Sequence, residues 1–180
     1  MCFRKNRQRL RYNHGSFWRA EMTADNLSNS QIRNILEEAR TIAMVGLSGN
    51  WFRPSYFAAK YLLDHGYKVI PVNPNYEEIL GQRCVPDLGS IDEPIDIVDL
   101  FQRAEHVAGF IDGAEKLHAS VFWMQLGITN EQATLEARKK GMTVVMDRCM
   151  KIEYARLFGG LNWSGVNTGV ISSRRPRRVV

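Results

Sequence analysis

The chain has 180 residues, enough for one domain with a sizeable core. Its formal net charge of +5 comes from its ends: residues 1–20 hold six Lys and Arg and no acid, and residues 174–178 hold four arginines. Taking those ten from the 24 Lys and Arg leaves 14 against 19 Asp and Glu, so the body stands at −5 and offers no basic face to nucleic acid or to a membrane surface.

Residues 1–24 are polar, basic and without periodicity, and read as a disordered extension; Met22, just ahead of the first helical pattern, is a second candidate start. Asn29 and Ser30 predict the cap of a helix over 31–40, with Ile32, Ile35, Leu36 and Ala39 on one face. The apolar run Ile42–Val45, closed by Gly46, is too short for a helix and predicts a buried strand. A loop rich in Gly, Ser and Asn leads to Ser55, the expected N-cap of a helix over 56–65 that Gly66 ends. A second strand covers 67–72 and stops at Asn73-Pro74-Asn75, and residues 79–85 read as a loop or a short added element. Strands over 95–100, 120–124 and 142–146 follow. They alternate with helices over 104–117 (interrupted near Gly109 and Gly113), 131–140 (capped by Asn130) and 151–158. Strands alternating with helices predict an α/β fold, a doubly wound parallel sheet of about five strands between two helical layers. The domain is expected over 25–160, followed by a Gly/Arg-rich tail over 161–180.

Cys2, Cys84 and Cys149 are scattered without metal-ligand or CxxC spacing, and the four histidines are equally isolated. No apolar stretch follows the basic N-terminus and no run approaches transmembrane length, so a reduced, cytoplasmic setting is expected.

In a doubly wound sheet, ligands sit beyond the carboxyl ends of the strands. The residues there are amides, hydroxyls and cations, a set that suits a phosphorylated nucleotide. Strand, glycine turn and helix start over 41–56 is the arrangement that presents backbone N–H groups and a helix dipole to phosphate. The GxGxxG fingerprint is missing: Gly46-x-Ser48 replaces its first half. The second strand ends in Asn73 where a nicotinamide-binding sheet usually places an acid, and no acid follows until Glu77. An amide tolerates a further phosphate near the ribose that a carboxylate would repel. Coenzyme A and NADP both meet that description, and the local physics does not separate them.

The segments Ile42–Ser48, Arg53-Pro54-Ser55-Tyr56, Gly66–Pro74, Val98–Arg103, Trp123–Gly127 and Met146–Cys149 together resemble the small CoA-binding domain proteins of bacteria and archaea, which are similar to the N-terminal CoA-binding domain of the succinyl-CoA synthetase alpha subunit. The resemblance covers about 32–154 and implies a Rossmann-like fold binding coenzyme A, with pyrophosphate on the first loop and adenine near the end of the second strand. It implies no reaction, because the synthetase domain that would carry a phosphorylated histidine is not matched.

The candidate contacts follow. Gly46, Ser48 and Gly49 would meet the pyrophosphate, and Asn50 would bond phosphate or hold the turn. Arg53 would meet the 3′-phosphate or the pyrophosphate, against the plainer reading of a solvated loop arginine. Ser55 is a helix cap that can also touch ligand, and Tyr56 packs or stacks. Asn73 and Pro74 would border the adenosine or simply make the turn. Phe101, Arg103 and Gln125 follow the third and fourth strands and face the same cleft, and Trp123 is a core residue or a neighbour of the pantetheine arm. Cys149, near Arg148, Lys151 and a helix start, is expected to have a depressed thiol pKa that would permit a mixed disulfide with the coenzyme A thiol; a buried structural cysteine is the plainer reading, and with no histidine beside it in sequence it is not read as a nucleophile. Asp96, Asp99 and Asp112 read as ordinary strand-edge carboxylates. The expected activity is non-catalytic binding of coenzyme A or acyl-CoA, with a protein partner or a second copy as company; the alternative is an NADP-dependent reductase. The terminal arginines read as solvated tails, not as a nucleic-acid site.

Overall fold

The computed structural model describes residues 27–159; the expectations for 1–24 and 161–180 lie outside the described residues. Five parallel strands form the main sheet: β1 (Thr41–Val45), β2 (Lys68–Val72), β5 (Ile97–Leu100), β6 (Val121–Met124) and β7 (Thr143–Val145). Their spatial order is β2-β1-β5-β6-β7. Between β2 and β5 the chain makes a small antiparallel hairpin of β3 (Glu78–Ile79) and β4 (Gln82–Arg83), the short added element expected there. Gly81 turns that hairpin at φ +72, a conformation that favours glycine.

Five α-helices, α1 (Asn29–Glu38), α2 (Pro54–Asp64), α3 (Ile111–Lys116), α4 (Glu131–Lys139) and α5 (Met150–Phe158), cover the two faces of the sheet. Side chains alternate along each strand, so the sheet feeds two cores. Ile42, Met44, Ile97, Val121 and Trp123 pack with Ile32, Leu36, Ala59, Leu62, Met150 and Leu157 of α1, α2 and α5. Ala43, Val45, Val98, Leu100, Phe122 and Met124 pack with Val107, Ile111, Ala114, Ala133 and Ala137 of the opposite layer. The central strands β5 and β6 are buried at every position, which is why their sequences run apolar without alternation. This is the expected three-layer α/β sandwich of the Rossmann-like kind.

Four details differ from the sequence expectation. The cap of α1 is Ser28, through a capping box with Gln31, so Asn29 and Ser30 are already helical. The N-cap of α2 is Arg53 with Pro54 in the first helical turn; Ser55 is one residue inside the helix. Residues 104–116 are a 3₁₀ segment, Ala104–Phe110, that passes into α3, because Gly109 and Gly113 weaken a continuous α-helix there. Asp99 is no edge carboxylate: it points from a central strand into the core beside Met44 and Trp123 and is fully buried.

Candidate ligand-binding site

From β1 the chain crosses to β2 on one side and later returns to β5 on the other, so the order in which strands are added reverses between β1 and β5, at their carboxyl ends. Gly46 stands at that point. Its N–H donates to the Val72 carbonyl at 2.9 Å, and its φ is +80. A Cβ here would lie 2.5 Å from the Phe101 carbonyl oxygen and 2.8 Å from Gln102 Nε2, so only glycine lets the two strand ends meet.

The loop beyond it is tied at several points. The Ser48 N–H donates to Ser55 Oγ at 3.2 Å, which is what the buried Ser55 hydroxyl does in place of capping the helix. Ser48 Oγ accepts from the Asn50 N–H at 3.2 Å and lies 3.4 Å from the Tyr76 hydroxyl. Asn50 Oδ1 accepts from the Phe52 N–H at 3.0 Å, an Asx turn that aims the chain into α2. Gly49 lies under the Tyr76 ring, 2.7 Å from where a Cβ would sit. Arg53 makes no side-chain cap bond to α2; in the first turn Pro54 has no N–H, and the Tyr56 N–H donates to the Arg53 carbonyl at 3.1 Å.

At the end of β2, Asn73 joins the loops that follow β1 and β2. Its Nδ2 donates to the Leu47 carbonyl at 2.8 Å, and its Oδ1 accepts from the Asn75 N–H at 3.0 Å. Asn73 and Pro74 line a cleft of about 390 Å³ with Tyr76, Glu77, Arg83, Cys84 and Pro86. A second cleft, about 430 Å³, lies elsewhere, lined by Leu36, Arg40, His65, Tyr67, Tyr154 and Phe158; it sits where β1 and β2 begin, away from this rim.

Phe101 follows β5 half-buried, its carbonyl against Gly46, and Arg103 is exposed beyond it. Tyr56 is half-buried against the α1/α2/α5 core, the packing role. Trp123 is fully buried, and its indole N–H donates to the Arg148 carbonyl at 2.6 Å, so it is core and does not line the crevice. Arg148 is turned to Glu153 and to the Leu27 carbonyl. Gln125 is buried and donates from Nε2 to Asp99 Oδ1 at 2.7 Å, facing inward. Cys149, half-buried, is the N-cap residue of α5. Burial pushes its thiol pKa up, and the Asp99 charge adds to that; the Ile152 and Lys151 N–H groups and the Lys151 charge oppose it without prevailing. The expected depression is therefore reversed, because desolvation outweighs the helix start.

The first loop, Asn73 and Pro74 thus come together with Phe101 around one rim, while Gln125 and Cys149 lie to its inner side. Three residues escaped the sequence reading. Tyr76 roofs Gly49, and Arg83 brings a cation to the β2 cleft across the hairpin; only the Gly81 turn hinted at either. Asp99, read as an edge acid, is the third.

Comparison with known proteins decides the family. Residues 40–155 match the family described as CoA binding domain. The chain belongs to this CoA-binding domain family. The uncharacterized protein YneT of Bacillus subtilis is 43% identical over 130 residues, which is 72% of this chain and 96% of that protein. A hypothetical protein of Pyrococcus horikoshii OT3 has a solved structure that superposes with a TM-score of 0.73 at 39% identity, covering 78% of this chain and 99% of that one. The apo form of a dinucleotide-forming acetyl-coenzyme A synthetase from Ca. Korarchaeum cryptofilum superposes with a TM-score of 0.53 at 25% identity; the match covers 59% of this chain and 26% of the synthetase. The CoA-binding domain here therefore corresponds to one part of that larger enzyme and to nearly the whole of the small relatives.

Proposed function

We propose that this CoA-binding domain holds coenzyme A or an acyl-CoA at the rim formed by the ends of β1, β2 and β5, as a carrier or sensor and not as an enzyme. The observation that carries the reading is the Gly46–Ser55 loop. Its glycine lets the strand ends close, its Ser and Asn side chains fix its shape, and it delivers a helix start that no side chain caps. A pyrophosphate is the group such a loop suits, with Ser48, Gly49, Asn50 and Arg53 around it. The cleft beside Asn73 and Pro74 suits the adenosine, and Arg83 there suits a phosphate on its ribose.

No helix among the described residues is long and apolar enough to cross a membrane, and no His/Cys/Asp/Glu group among them could hold a metal ion. Cys84 and Cys149 are free thiols, which suits a reducing, cytoplasmic setting.

A thermal-shift panel with coenzyme A, acetyl-CoA, dephospho-CoA, NAD and NADP tests the reading. A ligand bound by the native state alone stabilises it by about 2.7 kcal/mol at a hundredfold excess over Kd. Coenzyme A is expected to raise Tm by several degrees, dephospho-CoA by less, and the nicotinamide nucleotides not at all. A shift with NADP and none with coenzyme A would overturn the proposal.

A further inference from the structure

Among the described residues, the large hydrophobic side chains left exposed are Trp51, Phe52, Phe57, Tyr76 and Leu135, and four of these five gather around the Gly46–Ser55 loop. Trp51 and Phe52 are 57% and 76% exposed, with their rings 5.1 Å apart, edge to face. Phe57, early in α2, stands 5.9 Å from Trp51. Tyr76 covers Gly49 of the same loop.

Neither turn chemistry nor packing accounts for the two leading rings. The Arg53 N–H donates to the Asn50 carbonyl at 3.0 Å, so Trp51 and Phe52 are the two central residues of a turn. Turns select Gly, Pro, Asn, Asp and Ser at such places. Neither ring belongs to either core. The turn is tied a second time, by Asn50 Oδ1 to the Phe52 N–H at 3.0 Å, so the backbone that presents the rings is set before anything binds.

Size and charge select the occupant. An aromatic side chain offers about 150–250 Å², so these four rings at their present exposure offer roughly 400 Å² together. A stable protein–protein interface takes about 800 Å² from each partner, twice what this patch supplies. Arg53 adjoins Phe52, and no acid occurs between Glu38 and Asp64, in a body that otherwise stands at −5. Glu77, the first acid beyond Tyr76, lines the β2 cleft. A small apolar surface with a cation beside it suits an amphiphilic anion whose charged end is a phosphate.

We propose that Trp51, Phe52 and Phe57 form a shelf for the acyl chain of a medium-chain acyl-CoA, and that this shelf makes the protein prefer an apolar acyl-CoA to free coenzyme A. The proposal rests on the coenzyme A reading above and names the acyl class within it. The pantetheine arm is a flexible chain, mostly of single bonds, so the acyl group folds back beside the loop that holds the pyrophosphate. The shelf covers one side of the chain. Each CH₂ laid on it therefore loses about half the water contact that full burial removes, and affinity rises about twofold per CH₂.

The test is titration calorimetry of the full-length protein with ADP, coenzyme A, acetyl-CoA, butyryl-CoA and octanoyl-CoA. Wild type is compared with the double variant Trp51→Ala/Phe52→Ala and with Leu135→Ala, which removes the exposed side chain of α4. Affinity in wild type and in Leu135→Ala should climb about sixtyfold from acetyl-CoA to octanoyl-CoA, six CH₂ groups at twofold each. The double variant should bind octanoyl-CoA no better than coenzyme A, while ADP and coenzyme A stay within about twofold of wild type, as for other surface substitutions. Trp51 supplies a second readout: octanoyl-CoA, and not coenzyme A, should shift indole emission to the blue in wild type, and the shift should be lost in Trp51→Phe. Equal affinity for coenzyme A and octanoyl-CoA in wild type, or a length preference that survives in the double variant, overturns the shelf. An equal loss of ADP and octanoyl-CoA in the double variant gives the rings to the adenine and overturns it too. A flat acyl series, together with wild-type cosedimentation on phosphatidylglycerol vesicles that the double variant loses, gives the patch to a membrane surface instead. Coenzyme A binding with a flat acyl series sinks the shelf and leaves the binding proposal standing. Octanoyl-CoA binding that needs the two rings, with no binding of ADP or coenzyme A, keeps the shelf and sinks the nucleotide reading. No binding of any of the five ligands sinks both.

Discussion

Asp99 carries the clearest pH signature of any residue in the fold. A carboxyl in water titrates near 3.8, and burial in the core moves this one to about 7. Between those values the folded state holds a proton that the unfolded state has released, so stability falls as pH rises through the window. Below pH 4 the group costs nothing; above 7 the full penalty applies, roughly 4 kcal/mol for a shift of this size. Wild type is thus expected to lose stability in urea between pH 5 and pH 8. Asp99→Asn, which keeps an acceptor for Gln125, should flatten that slope and be the more stable form at pH 8. Parallel slopes in the two proteins would show that Asp99 is ionised and solvated in the fold. This residue was illegible in the sequence: Asp96 and Asp99 read alike there, and only the register that faces Asp99 toward Met44 and Trp123 separates them. Gly46 was legible because a glycine closing an apolar run has few other uses. The direction of the Cys149 pKa was misread, because its neighbours in sequence show charge and cannot show burial.

At the scale of elements, the strands and helices were legible wherever periodicity and punctuation agreed, as at Asn130, which caps α4 by accepting from the Ala133 N–H at 2.9 Å. Boundaries moved where tertiary contacts overrode local preference. Ser55 shows how. Sequence makes it a cap, yet the structure bends the chain so that Pro54 starts the helix and the Ser55 hydroxyl reaches back to the Ser48 N–H. The hydroxyl therefore shapes the loop more than it starts the helix. Ser55→Ala should cost about 1 kcal/mol of stability, the usual loss of one buried hydrogen bond. It should also weaken coenzyme A binding several-fold, because the loop N–H groups lose their fixed aim. Chemical denaturation and titration calorimetry would read both. A loss of stability with unchanged affinity would show that the loop holds its shape without this tie. The hairpin β3–β4 is the counter-example: two-residue strands carry no pattern, so the cation it brings to the β2 cleft could not be foreseen.

For the whole molecule, charge distribution decides how an anion finds the rim. The chain is basic through its ends, while the part between them carries more acids than bases. A ligand with several negative charges thus depends on local cations and backbone dipoles rather than on the field of the protein. Besides the exposed Arg103 beyond β5, arginines stand at separate places around the rim: Arg53 at the start of α2 and Arg83 in the cleft at the end of β2. The sequence offered Arg53 for either phosphate; the placement of Arg83 in the β2 cleft allows a division of work that can be tested. If Arg53 serves the pyrophosphate, Arg53→Ala weakens coenzyme A and dephospho-CoA by the same factor, about tenfold for one charge-assisted bond. If Arg83 serves the 3′-phosphate, Arg83→Ala weakens coenzyme A by a similar factor and leaves dephospho-CoA unchanged, erasing the preference between them. The two losses should add in the double variant, since the residues would touch different groups of one ligand. Calorimetry of the four proteins with both ligands measures all of this. A preference for coenzyme A that survives Arg83→Ala and disappears in Arg53→Ala would move the ribose phosphate to the helix start and reverse the orientation of the bound nucleotide.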